Sequence, residues 1–312
     1  MADHVLVTGG AGYIGSVLVP MLLKAGYDVS VIDNLLYQQQ SLMPLCHHNN
    51  VTLIKGDARD EALIKKQLEK ADVIIPLACL VGAPLCDQDP ISAQSVNVET
   101  LKIILKLKSK SQQLIYPNTN SGYGIGQKEQ YCDETSPLTP ISLYGKLKVQ
   151  AEKMILDTGE GLTFRFATVF GLSPRMRLDL LVNDFTYKAV RDRYVVLFES
   201  HFKRNYIHVA DAAASFLHAM SHYDTMKGHC FNVGLSNANL SKMELCQEIK
   251  TYIPEFVFME SDINKDPDQR DYIVSNKKIE ETGFYATKSL QDGIAEMVKA
   301  FQFWPKHNLS NI

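Results

Sequence analysis

The sequence predicts an α/β chain, a doubly wound parallel sheet with helices on both faces and a smaller C-terminal lobe. Three observations carry this. Short β-branched runs alternate with longer amphipathic ones through Val169. A glycine-rich segment, Thr8-Gly9-Gly10-Ala11-Gly12-Tyr13-Ile14-Gly15, joins the first run to the first amphipathic stretch. Past residue 172 the rhythm changes to isolated strands separated by turns and polar segments.

The strand signals fall at 5–7, 29–32, 51–54, 73–75, 114–116 and 163–169. Between them the spacing predicts helices near 14–25, 60–70, 92–109 and 142–157. The first helix ends in Lys24-Ala25-Gly26, a common C-terminal stop, while Pro20 inside it predicts a kink or a late first turn. Strands at 194–198, 205–209 and 230–233 are assigned to the second lobe. The expected division is 1–172 and, mainly, 173–312, with later returns of the chain to the first lobe.

Of the 312 residues, 46% are hydrophobic and 21% charged, close to globular averages, which excludes a disordered or fibrous chain. Lys plus Arg is 32 against 35 Asp plus Glu, and no basic block offers a footprint for nucleic acid. The six cysteines (Cys46, Cys79, Cys86, Cys132, Cys230, Cys246) show no Cys-x-x-Cys spacing, which argues against a disulfide framework or a zinc knuckle and fits a reducing cytosol. His47-His48 falls in a polar connection with no acidic partner nearby, so no metal is expected. The first apolar run lacks the flanks of a signal peptide and no stretch approaches the ~20 residues of a membrane span, so a cytoplasmic protein is expected.

The glycine segment lies between strand and helix, which is what makes it informative. Gly9 permits a tight turn, Gly12 lets a pyrophosphate approach the backbone, and Gly15 lets the helix pack on the sheet, a Rossmann-type dinucleotide arrangement. The helix N-terminus adds N–H groups and a positive dipole end. Asp33 ends the second strand 24 residues after Gly9, where a carboxylate accepts from a ribose 2′-hydroxyl and repels a 2′-phosphate. NAD is therefore expected over NADP. Asp57, closing the third strand in Gly56-Asp57-Ala58, either caps a turn or bonds an adenine amino group.

Tyr144 and Lys148 stand at i and i+4, so they share one helix face, and an ammonium beside a phenol lowers its pKa. Tyr-x-x-x-Lys alone is common by chance and far more often a solvated surface pair. Its context here is Thr119, in Tyr116-Pro117-Asn118-Thr119-Asn120-Ser121-Gly122-Tyr123-Gly124, at the C-terminal end of the fifth strand where open α/β sheets bind ligands. Tyr123 either packs on a nicotinamide or fills the core.

These motifs together resemble an extended short-chain dehydrogenase/reductase of the nucleotide-sugar epimerase/dehydratase family. Thr-Gly-x-x-Gly-x-x-Gly, a Thr shortly before Tyr-Gly, and Tyr-x-x-x-Lys 25 residues after that Thr all match. The likeness continues through Asn97, Phe170-Gly171-Leu172-Ser173-Pro174 and Arg204-Asn205-Tyr206-Ile207-His208-Val209-Ala210-Asp211. The resemblance implies an NAD-dependent enzyme in which Tyr144 takes a proton from a sugar hydroxyl, Thr119 holds that oxygen and Lys148 holds the nicotinamide ribose. It also implies coenzyme contacts at Tyr13, Ile14, Asn34, Ala58, Leu77 and Ala78, diphosphate contacts at Arg204 and Arg270, and a contact at the phosphate end from Asn183. Arg175 and Arg177 either touch the sugar or are solvated at a helix start. A homodimer built on the Tyr144 helix is implied as well.

Where dehydratases of the family carry acidic residues after the threonine, this chain has Asn120 and Ser121, expected to contact substrate instead, so elimination of water is disfavoured. The segments 117–124 and 178–185 look more like 4-dehydrogenases of GDP-manno-heptose in bacterial capsule polysaccharide synthesis, which is the expected activity, with nucleotide-sugar 4-epimerisation as the alternative. From another class, a non-catalytic NAD-binding sensor is disfavoured by the intact Thr119, Tyr144 and Lys148. Cys79 and Cys86 are read as small buried residues.

Overall fold

The computed structural model describes residues 3–126, 130–261 and 270–303. From the N-terminus run β1 (His4–Thr8), α1 (Gly15–Lys24), β2 (Asp28–Asp33), β3 (Val51–Lys55), α2 (Glu61–Leu68) and β4 (Val73–Pro76). Then come α3 (Ala83–Gln88), α4 (Pro90–Gln94), α5 (Thr100–Leu107), β5 (Gln113–Thr119), the short β6 (Tyr131–Cys132) and α6 (Leu143–Leu156). β7 (Leu162–Phe166), β8 (Thr168–Phe170), α7 (Leu181–Arg191), β9 (Tyr194–Leu197), β10 (Lys203–His208), α8 (Val209–Ser221) and α9 (Tyr223–Met226) follow. The last elements are β11 (Cys230–Val233), β12 (Asn239–Ser241), α10 (Lys242–Tyr252), β13 (Val257–Glu260), β14 (Ile273–Val274), α11 (Lys277–Glu280) and α12 (Leu290–Phe303).

Seven strands form one sheet in the order β11-β7-β5-β4-β1-β2-β3, and every neighbouring pair is parallel. Central strands read as unbroken apolar runs because helices cover both faces: Val5, Leu6 and Val7 are fully buried, as are Ile74 and Ile75. One face packs on α1 and α8 through Leu18, Val19, Leu22, Ala212, Ala213 and Phe216, the other on α2, α5 and α6 through Ile64, Leu101, Ile104, Ala151 and Ile155. A second core gathers α7, α10 and α12 around Val182, Leu245, Ile249, Ile294 and Phe301, beside the three-stranded sheet β12-β10-β8. Among the described residues no helix is long and apolar enough to cross a membrane.

Four expectations change. The predicted strand 163–169 is two strands broken at Ala167: β7 stays in the large sheet, and β8 leaves it to pair with β10. The strand at 230–233 belongs to the edge of the large sheet, not to the second lobe, pairing in register with β7. The predicted helix 92–109 is α4, a π turn over Ser95–Glu99, and α5. That turn carries Asn97, whose amide accepts from Leu80 N at 2.9 Å and donates to Leu80 O at 3.0 Å, clamping the loop after β4. Helix α1 runs through Pro20 from Gly15 to Lys24 and is not delayed past it.

Candidate active site

The glycine loop is shaped by contacts that exclude a side chain. Gly9 has φ +70°, and a Cβ there would lie 2.6 Å from Ala78 N, at the end of β4. A Cβ on Gly15 would lie 2.5 Å from both Cα and O of Gly10, so the start of α1 sits directly on the loop. Gly15→Ala is therefore expected to cost about 1–3 kcal/mol of stability and to weaken dinucleotide binding, read by chemical denaturation and by a coenzyme titration. Unchanged binding would show that this close approach does not shape the cradle.

Helix α1 begins without a side-chain cap; Ser16 N donates to Gly12 O at 2.9 Å and Val17 N to Ile14 O at 3.1 Å, so its first turn closes directly onto the glycine loop. Asp33 closes the far side: Ala11 N donates to its carboxylate at 2.9 Å, Leu35 N at 2.8 Å and Gln39 Nε2 at 3.2 Å. Burial pushes the Asp33 carboxyl above the usual range even though two of those amides pull it down. Leu77 N donates to Thr8 O at 2.9 Å, which sets Leu77 and Ala78 beside Gly9, whereas Asn34 is exposed and only accepts from Leu36 N. Asp57 takes the turn-capping role: Arg59 N donates to it at 2.9 Å and Arg59 Nη2 at 2.5 Å, and these bonds hold its carboxyl below the usual range. Ala58 is buried behind it. A close-approach glycine loop, an uncapped helix start and a carboxylate at the end of β2 together fit a dinucleotide.

Thr119 is the last residue of β5. Its Oγ1 accepts from Ser121 N at 3.1 Å and lies 2.9 Å from Ser121 Oγ. Across from it, Ser142 caps α6 by accepting from Gly145 N at 3.1 Å, so Tyr144 stands in the first turn. Lys148, one turn on and 3% exposed, reaches back to the strand, donating to Pro117 O at 2.7 Å and Tyr116 OH at 3.1 Å. Its ammonium is 4.4 Å from the Tyr116 ring centroid. Tyr144 is partly buried, and among the described residues its hydroxyl makes no hydrogen bond.

One electrostatic expectation is corrected here. Lys148 does pull the Tyr144 pKa down, but burial pushes it up more strongly, and Cys79 and Tyr116 add to the rise, so the phenol stands above its ordinary value. Burial likewise works against the charge on Lys148, yet Cys79, Tyr116 and Tyr144 outweigh it and hold that lysine above the usual range. Cys79 is thus a neighbour of both residues, with its own thiol pushed up by burial.

The anion-binding candidates are less open than expected. Arg175 and Arg177 are 7% and 8% exposed, which overturns the solvated reading. Arg175 donates to Met176 O and lies 4.9 Å from the Tyr37 ring centroid, and Arg177 pairs with Asp179 at 2.5 Å. Arg204 is buried, donating to Lys203 O at 2.8 Å beside Tyr272. Arg270 donates to Ser121 Oγ, next to Thr119. Asn183 is fully buried with its amide committed, accepting from Gly171 N at 3.0 Å and donating to Arg177 O at 2.9 Å and Tyr13 OH at 3.1 Å. In this state it braces the segment after β8 and is not open to a phosphate. Tyr13 OH donates in turn to Gly171 O at 2.6 Å, while Ile14 packs against both cores. Asn120 is 1% exposed, and among the described residues neither of its amide atoms has a partner.

Tyr123 takes the core role, its hydroxyl donating to Asn232 Oδ1 at 2.7 Å with Asp133 O a further 2.8 Å neighbour of the same oxygen. Sequence reasoning missed Tyr116, Glu152 and Arg165. Glu152 had a usable signal, since it stands four residues after Lys148 on the face that already carries Tyr144. Arg165 had none, being one charge in an otherwise apolar strand.

A model of the NAD dependent epimerase/dehydratase family matches residues 5–234. Over 96% of its length the chain is 28% identical to UDP-glucuronic acid decarboxylase 1 of Arabidopsis thaliana, spanning 70% of that protein. It is 27% identical to the UDP-glucose 4-epimerase of Lactobacillus helveticus, over 79% of this chain and 80% of the other. The solved UDP-glucuronic acid 4-epimerase of Bacillus cereus, a complex with UDP-glucuronic acid and NAD, shares the fold with a TM-score of 0.84 at 21% identity, over 96% of this chain and 98% of that one.

Proposed function

Because the chain belongs to the NAD dependent epimerase/dehydratase family, we propose that it is a nucleotide-sugar 4-epimerase that uses NAD. The observation that carries this reading is the meeting of β5 and α6, where Lys148 is bonded to the strand two residues before Thr119 and Tyr144 keeps an uncommitted hydroxyl one turn away. NAD, held by Gly9, Gly12, Gly15 and Asp33, supplies a reversible hydride acceptor. Tyr144 takes the proton of the sugar 4-hydroxyl and later returns it. Thr119 holds that oxygen by a hydrogen bond, and Lys148 favours the phenolate by its charge and holds the nicotinamide ribose. Asn120 and Ser121 carry no carboxyl with which to remove a carbon-bound proton, which weighs against dehydration. Arg204, a buried arginine, suits a diphosphate because of its forked donors.

The 4-epimerases among the relatives favour this reading over net 4-dehydrogenation of GDP-manno-heptose in capsule synthesis, which rests on segments 117–124 and 178–185 alone. Mass spectrometry and chromatography of products from UDP-, GDP- and dTDP-sugars separate the two. An isomer of unchanged mass is expected, loss of two hydrogens would favour the dehydrogenase, and loss of water would overturn the reading of Asn120 and Ser121. A cytoplasmic homodimer is part of the proposal, and a monomer in light scattering at micromolar concentration would remove the dimer.

Asp33 gives the coenzyme site a pH dependence. Its ionised carboxylate accepts from the ribose more strongly than the neutral acid, and its raised pKa means that it protonates on acidification before an ordinary aspartate, at about 3.9, would. NAD affinity is therefore expected to fall with pH from above that value, and Asp33→Asn is expected to flatten the curve. A wild-type curve that stays level down to pH 4 would exclude this role.

A further inference from the structure

Glu152 continues the helix face of Tyr144 and Lys148, each four residues from the next on α6. It is 3% exposed, and its carboxylate is shared among three side chains from the sheet. Oε2 accepts from Asn118 Nδ2 at 2.6 Å and from Thr163 Oγ1 at 3.1 Å, and Oε1 accepts from Arg165 Nη2 at 2.7 Å. Arg165 is itself braced, its Nη1 donating to Tyr123 OH at 2.9 Å, and Tyr123 OH donates to Asn232 Oδ1 at 2.7 Å on β11. Asn118 immediately precedes Thr119 on β5 and is also buried. The network therefore ties the strand residue beside Thr119 to the helix that carries Tyr144.

We propose that Asn118 and Glu152 are a positioning pair, whose hydrogen bond sets the separation between the Thr119 hydroxyl and the Tyr144 phenol. The inference rests on the proposed function only in requiring that those two oxygens meet one substrate oxygen. Thr119 and Tyr144 are 25 residues apart in the chain, so no local geometry sets their spacing. Lys148 makes a second tie at Pro117 O, but through a long stem with many rotamers, whereas the Asn118–Glu152 bond joins shorter side chains and is charge-assisted. A displacement on the order of 1 Å between reacting groups costs up to about 100-fold in rate.

The test compares the full-length wild type with Asn118→Ala, Asn118→Asp, and the exchange Asn118→Asp with Glu152→Gln, which restores the bond with its donor and acceptor traded. UDP-glucose, UDP-glucuronic acid and GDP-mannose are the probes for kcat and KM, with NAD affinity and thermal unfolding measured alongside. Both single variants are expected to lose about 10-fold to 100-fold in kcat at unchanged KM and NAD affinity, and the exchange to recover most of it. Crystal structures of the four proteins with NAD supply a readout independent of turnover. The Thr119 Oγ1 to Tyr144 hydroxyl distance is expected to widen in the single variants and return in the exchange. If that distance stays constant across all four, or if the exchange restores thermal stability without restoring kcat, the pair is structural and the proposal is wrong. If the wild type turns over none of the probes, the epimerase reading fails while the distances still decide the pair.

Discussion

Tyr144→Phe is expected to lower kcat by about 10²–10⁴-fold, the range typical of losing a positioned acid or base, with NAD affinity unchanged. The substitution removes one oxygen that bonds to no described residue, so the fold loses nothing with it. The companion variant is Lys148→Met. Burial holds the Tyr144 phenol above its ordinary pKa, and Lys148 is the largest influence pulling it down. Without that charge the phenol rises further, and since the base acts as phenolate, the ascending limb of kcat against pH is expected to move to higher pH. Methionine keeps most of the buried stem volume and removes the ammonium bonds to Tyr116 OH and Pro117 O. A limb that stays in place, or moves to lower pH, would falsify the coupling of ammonium and phenol. Turnover by the Phe variant near the wild-type rate would remove Tyr144 from the mechanism.

Arg165→Met is expected to cost about 3–5 kcal/mol of stability in chemical denaturation, the largest structural effect foreseen. The reason is the group left behind. Arg165 and Glu152 have side chains 5% and 4% exposed, joined at 2.7 Å, and deleting the guanidinium strands a carboxylate in the interior with only Asn118 and Thr163 as neutral donors. Exchanging the whole pair for apolar residues of similar volume costs far less in principle, since both charges then go. The pair Lys106–Glu61 is the control: it has the same 2.7 Å separation, but its side chains are 67% and 50% exposed, so Lys106→Met is expected to change stability by less than about 1 kcal/mol. Equal losses at the two sites would mean that burial does not govern the Arg165 pair.

Much of the coenzyme side was legible because its signals are local. Gly9, Gly12 and Gly15 act through backbone sterics within a single turn, and Asp33 is the charge that ends the buried run of its strand. Tyr144 and Lys148 needed only helical spacing. The substrate side was less legible. That Asn183 spends its amide on Gly171, Tyr13 and Arg177 depends on elements about 170 residues apart meeting at one point. Likewise the segment at 230–233 could not be assigned to the large sheet from its own residues, because an apolar edge strand reads the same in either lobe.

The sequence by itself determined the parallel sheet, the dinucleotide loop and which helix face bears the tyrosine and lysine, since each is encoded by periodicity or backbone sterics over a few residues. Tertiary structure alone decided that Lys148 anchors to Tyr116 and Pro117, that Arg270 reaches Ser121, and that the Tyr144 phenol stands above its ordinary pKa. Those outcomes depend on how deeply each group is buried and which distant charges surround it, and desolvation and Coulomb interactions are set by distances through space, not along the chain.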